Sequence, residues 1–249
     1  MCGRYTLFAD AAALESRFGS TFGERYEPGY NRAPGERLPV IASDTPDRAT
    51  WMEWGLTPSW ADESFGLINA RAETVRAKRS FADAFESRRC LVPADGFYEW
   101  VDGDGRKRPY RVAFADDRPF AMAGLYERWR PPTPETTQTG LGAFGGGGAS
   151  GGRNGPHADG PDGAPDDGVV ETFTVVTTEP NELVADLHHR MAVVLAPEEE
   201  STWLHGEPAE AAALLDPYPA SELRAFPVST RVNAAGADGP ELIEPVAEG

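Results

Sequence analysis

Lysine is almost absent from this chain of 249 residues: only Lys78 and Lys107 occur, and the other 21 basic residues are arginines. Cysteine is also scarce, and Cys2 and Cys90 alone make neither a disulfide framework nor a zinc site. The chain lacks a run of about 18 apolar residues, so we expect no membrane span. Its start lacks the basic and apolar regions of a signal peptide, which predicts a cytoplasmic protein.

Acidic residues are abundant but unevenly placed along the chain. The formal net charge is −17, yet residues 1–130 are nearly balanced, whereas residues 131–249 hold 20 acidic and only 4 basic residues. An acid-rich, lysine-poor surface is typical of proteins from a cytosol with very high salt, where carboxylates keep the surface hydrated. We therefore interpret the acidity as a sign of habitat, and the balanced first half remains able to contact phosphate.

Most of the chain consists of short apolar tracts separated by turn residues. Predicted helices cover residues 10–18, 80–89, 197–204 and 208–215, the first with Asp10 as N-cap and Gly19 as terminator. A turn is predicted at residues 30–35 and a hairpin at 102–105. Predicted strands cover residues 38–42, 49–56, 90–94, 97–101, 109–114, 120–126, 171–177, 192–195 and 223–228. Many short strands with few helices indicate an α+β fold built around antiparallel sheet.

Residues 131–168 stand apart because they contain 12 glycines and 6 prolines. Such a segment buries too little apolar surface to offset the entropy of ordering it. The strand-like tracts on either side look incomplete alone. We therefore interpret the segment as a disordered surface insertion within a single domain that spans residues 1–249.

The most informative residue is Cys2, which follows the initiator methionine. If Met1 is removed, Cys2 carries an amine and a thiol on adjacent carbons. The amine can condense with an aldehyde to a Schiff base, and the thiolate can then close a thiazolidine ring on the same carbon. Ordinary pKa values of ~7.7–8.0 for the amine and ~8.5 for the thiol make both nucleophiles accessible near neutrality. Taken alone, Cys2 is more simply explained as an accident of position, since many chains have a small residue after Met1.

Three polar residues stand in apolar surroundings, and each has an ordinary structural explanation when taken singly. Asn69 is suited to cap a helix that follows it. Glu99 lies between aromatic residues, where burial would raise its pKa and let it shuttle protons, although strand carboxylates are ordinarily solvated. His188 precedes an apolar tract, and its neighbour His189 does not converge with it on a metal ion without further ligands. We therefore expect no metal and no other cofactor.

Taken together with Cys2, these residues belong to an ordered series of motifs. The series consists of Met1-Cys2-Gly3-Arg4-Tyr5, Asn31-x-Ala33-Pro34-Gly35, Trp54-Gly55-Leu56-x-Pro58-x-Trp60, Asn69-Ala70-Arg71-x-Glu73-Thr74, Asp95-Gly96-Phe97-Tyr98-Glu99-Trp100, His188-x-Arg190-Met191, Val228-Ser229-x-x-Val232-Asn233 and Glu241-Leu242-Ile243-x-Pro245. It resembles the SRAP family (SOS-response-associated peptidases, also called abasic-site processing proteins) over nearly the whole chain apart from residues 131–168. The resemblance implies a mainly antiparallel, barrel-like fold with several short helices.

The resemblance also implies a covalent sensor of abasic sites in single-stranded DNA. Cys2, exposed by autocatalytic or assisted removal of Met1, would form a thiazolidine crosslink with the sugar aldehyde, by way of lyase-type Schiff-base chemistry. By the matching motifs, Asn69 would orient the Cys2 amine and Glu99 would assist proton transfers at C1′. His188 would act as general acid at the sugar ring oxygen.

DNA-binding residues are implied in the same way, and the partner is single-stranded DNA that contains abasic sites, bound by a monomer. Arginines would hold phosphates, and tryptophans would stack on or wedge against bases. The implied arginines are Arg4, Arg71 and Arg190, and the tryptophans are Trp60 and Trp100. Two further motif residues, Asn31 and Pro34, complete the set. The sequence departs from the family pattern in its acidity, in the insertion, in His189 where an acidic residue is common and in Ala192 where proline is common.

Two alternatives use the same residues differently. An N-terminal-nucleophile hydrolase of the glutaminase type also begins Met-Cys-Gly and uses the amine of Cys2 as its base. It would need a clamp for the glutamine carboxylate, of which the sequence carries no sign. A non-catalytic module that binds single strands through Arg and Trp would treat intact and abasic strands alike and would not need Cys2.

Overall fold

The computed structural model describes residues 2–103, 106–132, 168–234 and 236–247. Its strands, in chain order, are β1 (Tyr5–Leu7), β2 (Gly29–Arg32), β3 (Arg37–Ala42), β4 (Ala49–Trp54), β5 (Asn69–Arg71), β6 (Arg89–Ala94), β7 (Gly96–Gly103), β8 (Arg106–Phe114), β9 (Phe120–Trp129), β10 (Val170–Thr178), β11 (Met191–Ala192), β12 (Val194–Leu195) and β13 (Leu223–Pro227). The predicted α+β class with mainly antiparallel sheet is confirmed.

The helices are short and lie between or beside the strands. They are α1 (Ala11–Phe18), α2 (Ala82–Ser87), α3 (Glu182–Ala185), α4 (Glu200–His205) and α5 (Pro208–Ala212), with 3₁₀ turns at Pro197–Glu199, Ala220–Glu222, Thr230–Asn233 and Pro240–Leu242. The caps predicted for α1 are confirmed, because the Asp10 side chain accepts from the Ala13 amide and Gly19 adopts a left-handed conformation with φ 68°. Within the described ranges, none of these helices has the length and apolarity that a bilayer crossing requires.

Two sheets make up the fold. One has the strand order β13-β8-β7-β1-β2, and the other has the order β11-β10-β4-β3-β6-β9-β12 with β5 added beside β10. Strand β10 also pairs with β9, so β10, β4, β3, β6 and β9 close into a barrel-like ring. Two pairs, β10 with β4 and β10 with β5, are parallel. The barrel-like arrangement implied by the family resemblance is therefore confirmed.

The core fills the ring with apolar side chains. Strand β6 is buried along its whole length and β9 along its first eight residues. Trp54 stacks on Phe173 of the neighbouring strand β10, and Tyr5 of the other sheet packs against Trp54 at a centroid distance of 5.3 Å. These contacts join the two sheets and fix β1, whose N-terminal end carries Cys2.

Several predicted boundaries were wrong, each for a local reason. The second helix ends at Ser87, because Arg89 already pairs with Leu125 in the sheet. The strand predicted over residues 49–56 ends at Trp54, since Gly55 turns the chain with φ 147°. The strand predicted over residues 192–195 is two separate strands, and residues 30–32 belong to β2 instead of a turn.

The insertion predicted at residues 131–168 lies mostly outside the described residues, as do Asp104 and Gly105 of the predicted hairpin. The hairpin itself is confirmed, because β7 and β8 are antiparallel neighbours whose register ends in the pair Gly103–Arg106. The strands before and after the insertion are also antiparallel neighbours, and Trp129 is the direct partner of Val170. A short connection therefore suffices to join them.

We expect that replacing residues 133–167 with a five-residue Gly/Ser turn keeps the melting temperature within a few degrees of the original. The physical reason is that the closure entropy of a loop grows only with the logarithm of its length, while the β9–β10 pairing holds both ends. Thermal unfolding followed by circular dichroism measures the effect. A loss of more than about 10 °C would show that the segment packs against the fold.

Candidate active site

A cavity of about 450 Å³ opens between the first sheet and the segment before β11. Its wall is formed by residues from five separate parts of the chain: Arg4, Glu99, Trp100, Lys107, His188 and Asn233. Four of these residues were predicted as site residues from the sequence. The fold thus brings together side chains that are up to 229 positions apart.

Cys2 is placed by the pairing of the first strand with β7. The amide of Tyr98 donates to the carbonyl of Arg4 at 3.0 Å, and the amide of Asp95 donates to the carbonyl of Thr6 at 2.9 Å. Cys2 is fully buried, and its Sγ lies 4.0 Å from the Arg4 carbonyl. Burial and, to a lesser degree, the nearby Glu99 carboxylate raise the pKa of the Cys2 thiol. The thiol is therefore protonated in this environment.

Asn69 lies directly against Cys2. Its side-chain Nδ2 donates to the carbonyl oxygen of Cys2 at 2.9 Å. Its Oδ1 is buried and accepts no hydrogen bond from the described part of the chain. Asn69 is the first residue of β5, which pairs with β10, so the helix cap considered from the sequence is wrong. Because the backbone of Asn69 is paired with β10, its side-chain amide is held beside Cys2.

Glu99 is the buried carboxyl group of the cavity. It lies on β7 and is only 1% exposed. Burial raises the pKa of Glu99 from 4.5 to about 7. Near neutral pH this carboxyl is therefore present in both protonated and ionised forms, and it can both accept and donate a proton.

His188 stands on the opposite wall from β7. Its Nδ1 lies 4.0 Å from Oε2 of Glu99 and accepts a hydrogen bond from the backbone amide of Arg190 at 3.0 Å. The carbonyl oxygen of Arg190 lies 3.2 Å from the same Nδ1, so the backbone of Arg190 offers this nitrogen both a donor and an acceptor. Burial lowers the pKa of His188 from 6.5, so the neutral form dominates at pH 7. The exposed ring of His189 lies beside it at a centroid distance of 4.2 Å.

Arg4 is held at the cavity by a buried asparagine. Its Nη1 donates to Oδ1 of Asn31 at 2.8 Å and to the carbonyl of Val232 at 3.1 Å. The Nδ2 atom of Asn31 donates to the carbonyls of Val232, Ala234 and Ala237. Asn31 is only 3% exposed, so its amide is engaged within the protein and anchors the turn that carries Asn233.

The other predicted DNA-binding residues lie at different depths. Trp100 is half-buried and donates through Nε1 to Oδ1 of Asn233 at 2.7 Å. Arg71 and Pro34 are exposed and do not line the cavity. Trp60 is 38% exposed, packs edge-on against Phe65, and lies under the guanidinium of Arg79 at 4.0 Å. The aromatic surface of Trp60 and Phe65 is therefore flanked by positive charge.

Arg190 is buried beside His188 and is paired within the protein. Its guanidinium binds the carboxylate of Glu73 with both terminal nitrogens, and its Nη2 also donates to the carbonyl of Thr177 at 2.6 Å. The side chain is 11% exposed, whereas that of Glu73 is 54% exposed. A phosphate would reach this arginine only alongside or in place of Glu73.

Two residues of the cavity wall were missed in the sequence analysis. Asn233 belongs to a motif of the ordered series, and this motif could have identified it as a candidate site residue. Lys107 is exposed on β8, one strand away from Glu99, and is one of only two lysines in the chain. No motif spacing in the sequence could have predicted that Lys107 lines the cavity. Its position depends on the β7–β8 register, in which Lys107 is the partner of Asp102. Among the described residues no cluster of three metal-ligating side chains occurs.

The chain is similar to known proteins over most of its length. The profile of the family described as SOS response associated peptidase (SRAP) matches residues 1–235. A Bacillus subtilis protein named abasic site processing protein YoqW is 38% identical over 256 residues, which cover 98% of this chain and 99% of that protein. A Gallus gallus protein named abasic site processing protein HMCES is 30% identical, with 89% of this chain and 67% of that protein covered.

Solved structures show the same fold. A Bacteroides thetaiotaomicron protein superimposes with a TM-score of 0.75 at 25% identity and covers 99% of this chain and all of its own. A Bordetella bronchiseptica protein gives a TM-score of 0.69 at 22% identity over 92% of this chain. The chain belongs to the SOS response associated peptidase family.

Because the pKa of Glu99 is raised in the folded protein, we expect the free energy of unfolding to depend on pH. As the pH rises from about 4.5 to about 7, the unfolded chain releases the Glu99 proton while the native chain still binds it. The free energy of unfolding therefore falls across this window, by about 3 kcal/mol for a shift of this size. Glu99→Gln removes the cost, so its melting temperature should exceed that of the parent at pH 8, with a smaller difference at pH 5. An equal difference at both pH values would contradict the raised pKa.

Proposed function

We propose that this chain is an abasic-site processing protein that captures abasic sites in single-stranded DNA through Cys2 after Met1 is removed. The observation that carries the proposal is the placement of Cys2, which is in contact with Asn69 and interacts with the buried Glu99 carboxyl. The names of the relatives from Bacillus subtilis and Gallus gallus support the same function. We further propose that the protein acts as a monomer.

The proposed reaction joins both nucleophiles of Cys2 to one carbon. The ring-opened abasic sugar presents an aldehyde at C1′, and the Cys2 amine attacks it with loss of one water to give an imine. The Sγ then attacks the same carbon, and the thiol proton passes to the nitrogen, which closes the thiazolidine. Asn69 would accept an N–H of the amine through its buried Oδ1 and so direct the nitrogen lone pair at C1′.

Glu99 and His188 would move the protons of this reaction. A carboxyl with a pKa of about 7 can take a proton from the attacking amine and return it to the departing hydroxyl group. His188, 4.0 Å from Glu99, would protonate the sugar ring oxygen during ring opening. The imine between the two steps is also the species from which lyase-type strand cleavage would start.

DNA would approach over the exposed arginines and tryptophans. We propose that Arg4 and Arg71 hold phosphates, that Lys107 adds a further positive charge at the cavity, and that Trp100 and Trp60 contact flanking bases. Asn31 would contribute by fixing Arg4, since its own amide is engaged within the protein. Pro34 is exposed in the following turn, where it can contact the strand.

The decisive experiment uses purified protein lacking Met1 and single-stranded DNA with one abasic site. We expect a covalent species that resists SDS. Cys2→Ala should abolish it, and Cys2→Ser should leave at most a Schiff base that is trapped only by a reductant. Cys90→Ala is the matched control, because Cys90 is equally buried but internal to the chain, and it should crosslink normally.

Three results would contradict the proposal. Undiminished stable crosslinking by Cys2→Ala would exclude the thiazolidine mechanism. Equal binding of intact and abasic strands, with no covalent species, would indicate a non-catalytic binding module. Release of ammonia from glutamine, lost in Cys2→Ala, would indicate a hydrolase of the glutaminase type.

The two adjacent histidines offer a second test. His188→Ala should slow single-turnover crosslinking by about 10²–10⁴-fold, the usual loss for a general acid–base group. His189→Ala should crosslink at nearly the original rate, because its ring is exposed and lies tilted beside that of His188. If His189→Ala proved the slower of the two, the assignment within the pair would be wrong.

A further inference from the structure

Glu73 has no role in the reaction described above, yet it is joined to His188 through Arg190. The Glu73 carboxylate binds both terminal nitrogens of Arg190, and the second of these lies 3.0 Å from Oε2. The same guanidinium donates to the carbonyl of Thr177 on β10 at 2.6 Å. The backbone amide of Arg190 in turn donates to Nδ1 of His188 at 3.0 Å.

This arrangement fixes Arg190 at both ends. Its guanidinium is tied to β10 and to Glu73, which follows β5, so its backbone amide has little freedom to turn away from His188. The position of Glu73 is itself defined, because the amide of Ala72 donates to the carbonyl of Thr177 at 2.8 Å. The segment after β5 therefore meets β10 and the segment before β11 at one ion pair, and its Glu73 is 117 positions from Arg190.

We propose that Glu73 is a positioning residue for His188, and that it acts by holding Arg190, whose backbone amide and carbonyl both lie within hydrogen-bond distance of Nδ1, so that the imidazole ring keeps one tautomer and one orientation. The inference rests on the proposed function of the cavity. It assigns the Glu73–Arg190 pair a task in the proton-transfer step, separate from the binding of DNA phosphates.

The inference predicts opposite effects on rate and on binding. Glu73→Ala removes a negative charge from the neighbourhood of Arg71 and leaves the Arg190 guanidinium without its carboxylate. Binding of intact single strands should therefore stay unchanged or become tighter. The crosslinking rate at saturating abasic DNA should fall by about tenfold, because a displaced acid–base group loses its alignment with the reacting atom. Glu73→Gln retains one acceptor for Arg190 and should recover part of the rate.

A double-mutant cycle with His188→Ala tests whether Glu73 acts through the histidine. We expect that Glu73→Ala causes no further loss of rate when His188 is already alanine. Glu171→Ala is the matched control, since it breaks the 2.9 Å pair between Glu171 on β10 and Arg128 on β9, outside the cavity. Its crosslinking rate should not change.

The tautomer of His188 gives a readout that needs no DNA. In ¹⁵N-resolved NMR spectra, His188 should be a single tautomer in the original protein and a mixture of tautomers in Glu73→Ala. An equal loss of rate in both histidine backgrounds, or an unchanged tautomer, would overturn the inference. So would weaker binding of intact DNA at an unchanged saturated rate. If the original protein crosslinks and Glu73→Ala crosslinks equally fast, the inference fails while the proposed function stands.

Discussion

The amides of Tyr98 and Asp95 donate to the carbonyls of Arg4 and Thr6, and these two hydrogen bonds keep the start of the chain in register with β7. Chain termini ordinarily fray, because few contacts hold them. Here the buried Asp95 carboxylate also accepts from the amides of Phe8 and Ala9. The proposed chemistry of Cys2 depends on this constraint, since a mobile N-terminus would not hold its nucleophiles beside Glu99.

Burial favours the uncharged forms of both Glu99 and His188, although it shifts their pKa values in opposite directions. It raises the pKa of Glu99 and lowers that of His188, because a dry environment disfavours a negative carboxylate and a positive imidazolium alike. The charges that face solvent are instead the cations Arg4 and Lys107. A neutral interior suited to proton exchange thus lies behind a positive entrance suited to a polyanion, within a chain whose overall charge is −17.

The cavity is completed by contacts between distant parts of the chain. Asn31 holds the turn at Val232, and Trp100 binds Asn233 within that turn. Glu73 forms an ion pair with Arg190, which is 117 positions away in the sequence. Each of these contacts joins segments that are more than 100 positions apart in the sequence, so the geometry of the site depends on the complete fold.

The sequence by itself determined the α+β class, most strand positions, the caps of α1 and the ordered motifs that identify Cys2, Asn69, Glu99 and His188. Apolar periodicity and turn residues act locally, so they can be interpreted without knowing the fold. Only the tertiary structure decided that Asn31 is a buried anchor, that Asn69 begins a strand, that Arg190 is paired with Glu73, and that Lys107 and Asn233 line the cavity. These roles follow from hydrogen bonds, burial and strand register between remote segments. Such contacts produce no periodic pattern in the sequence, so they cannot be predicted from it.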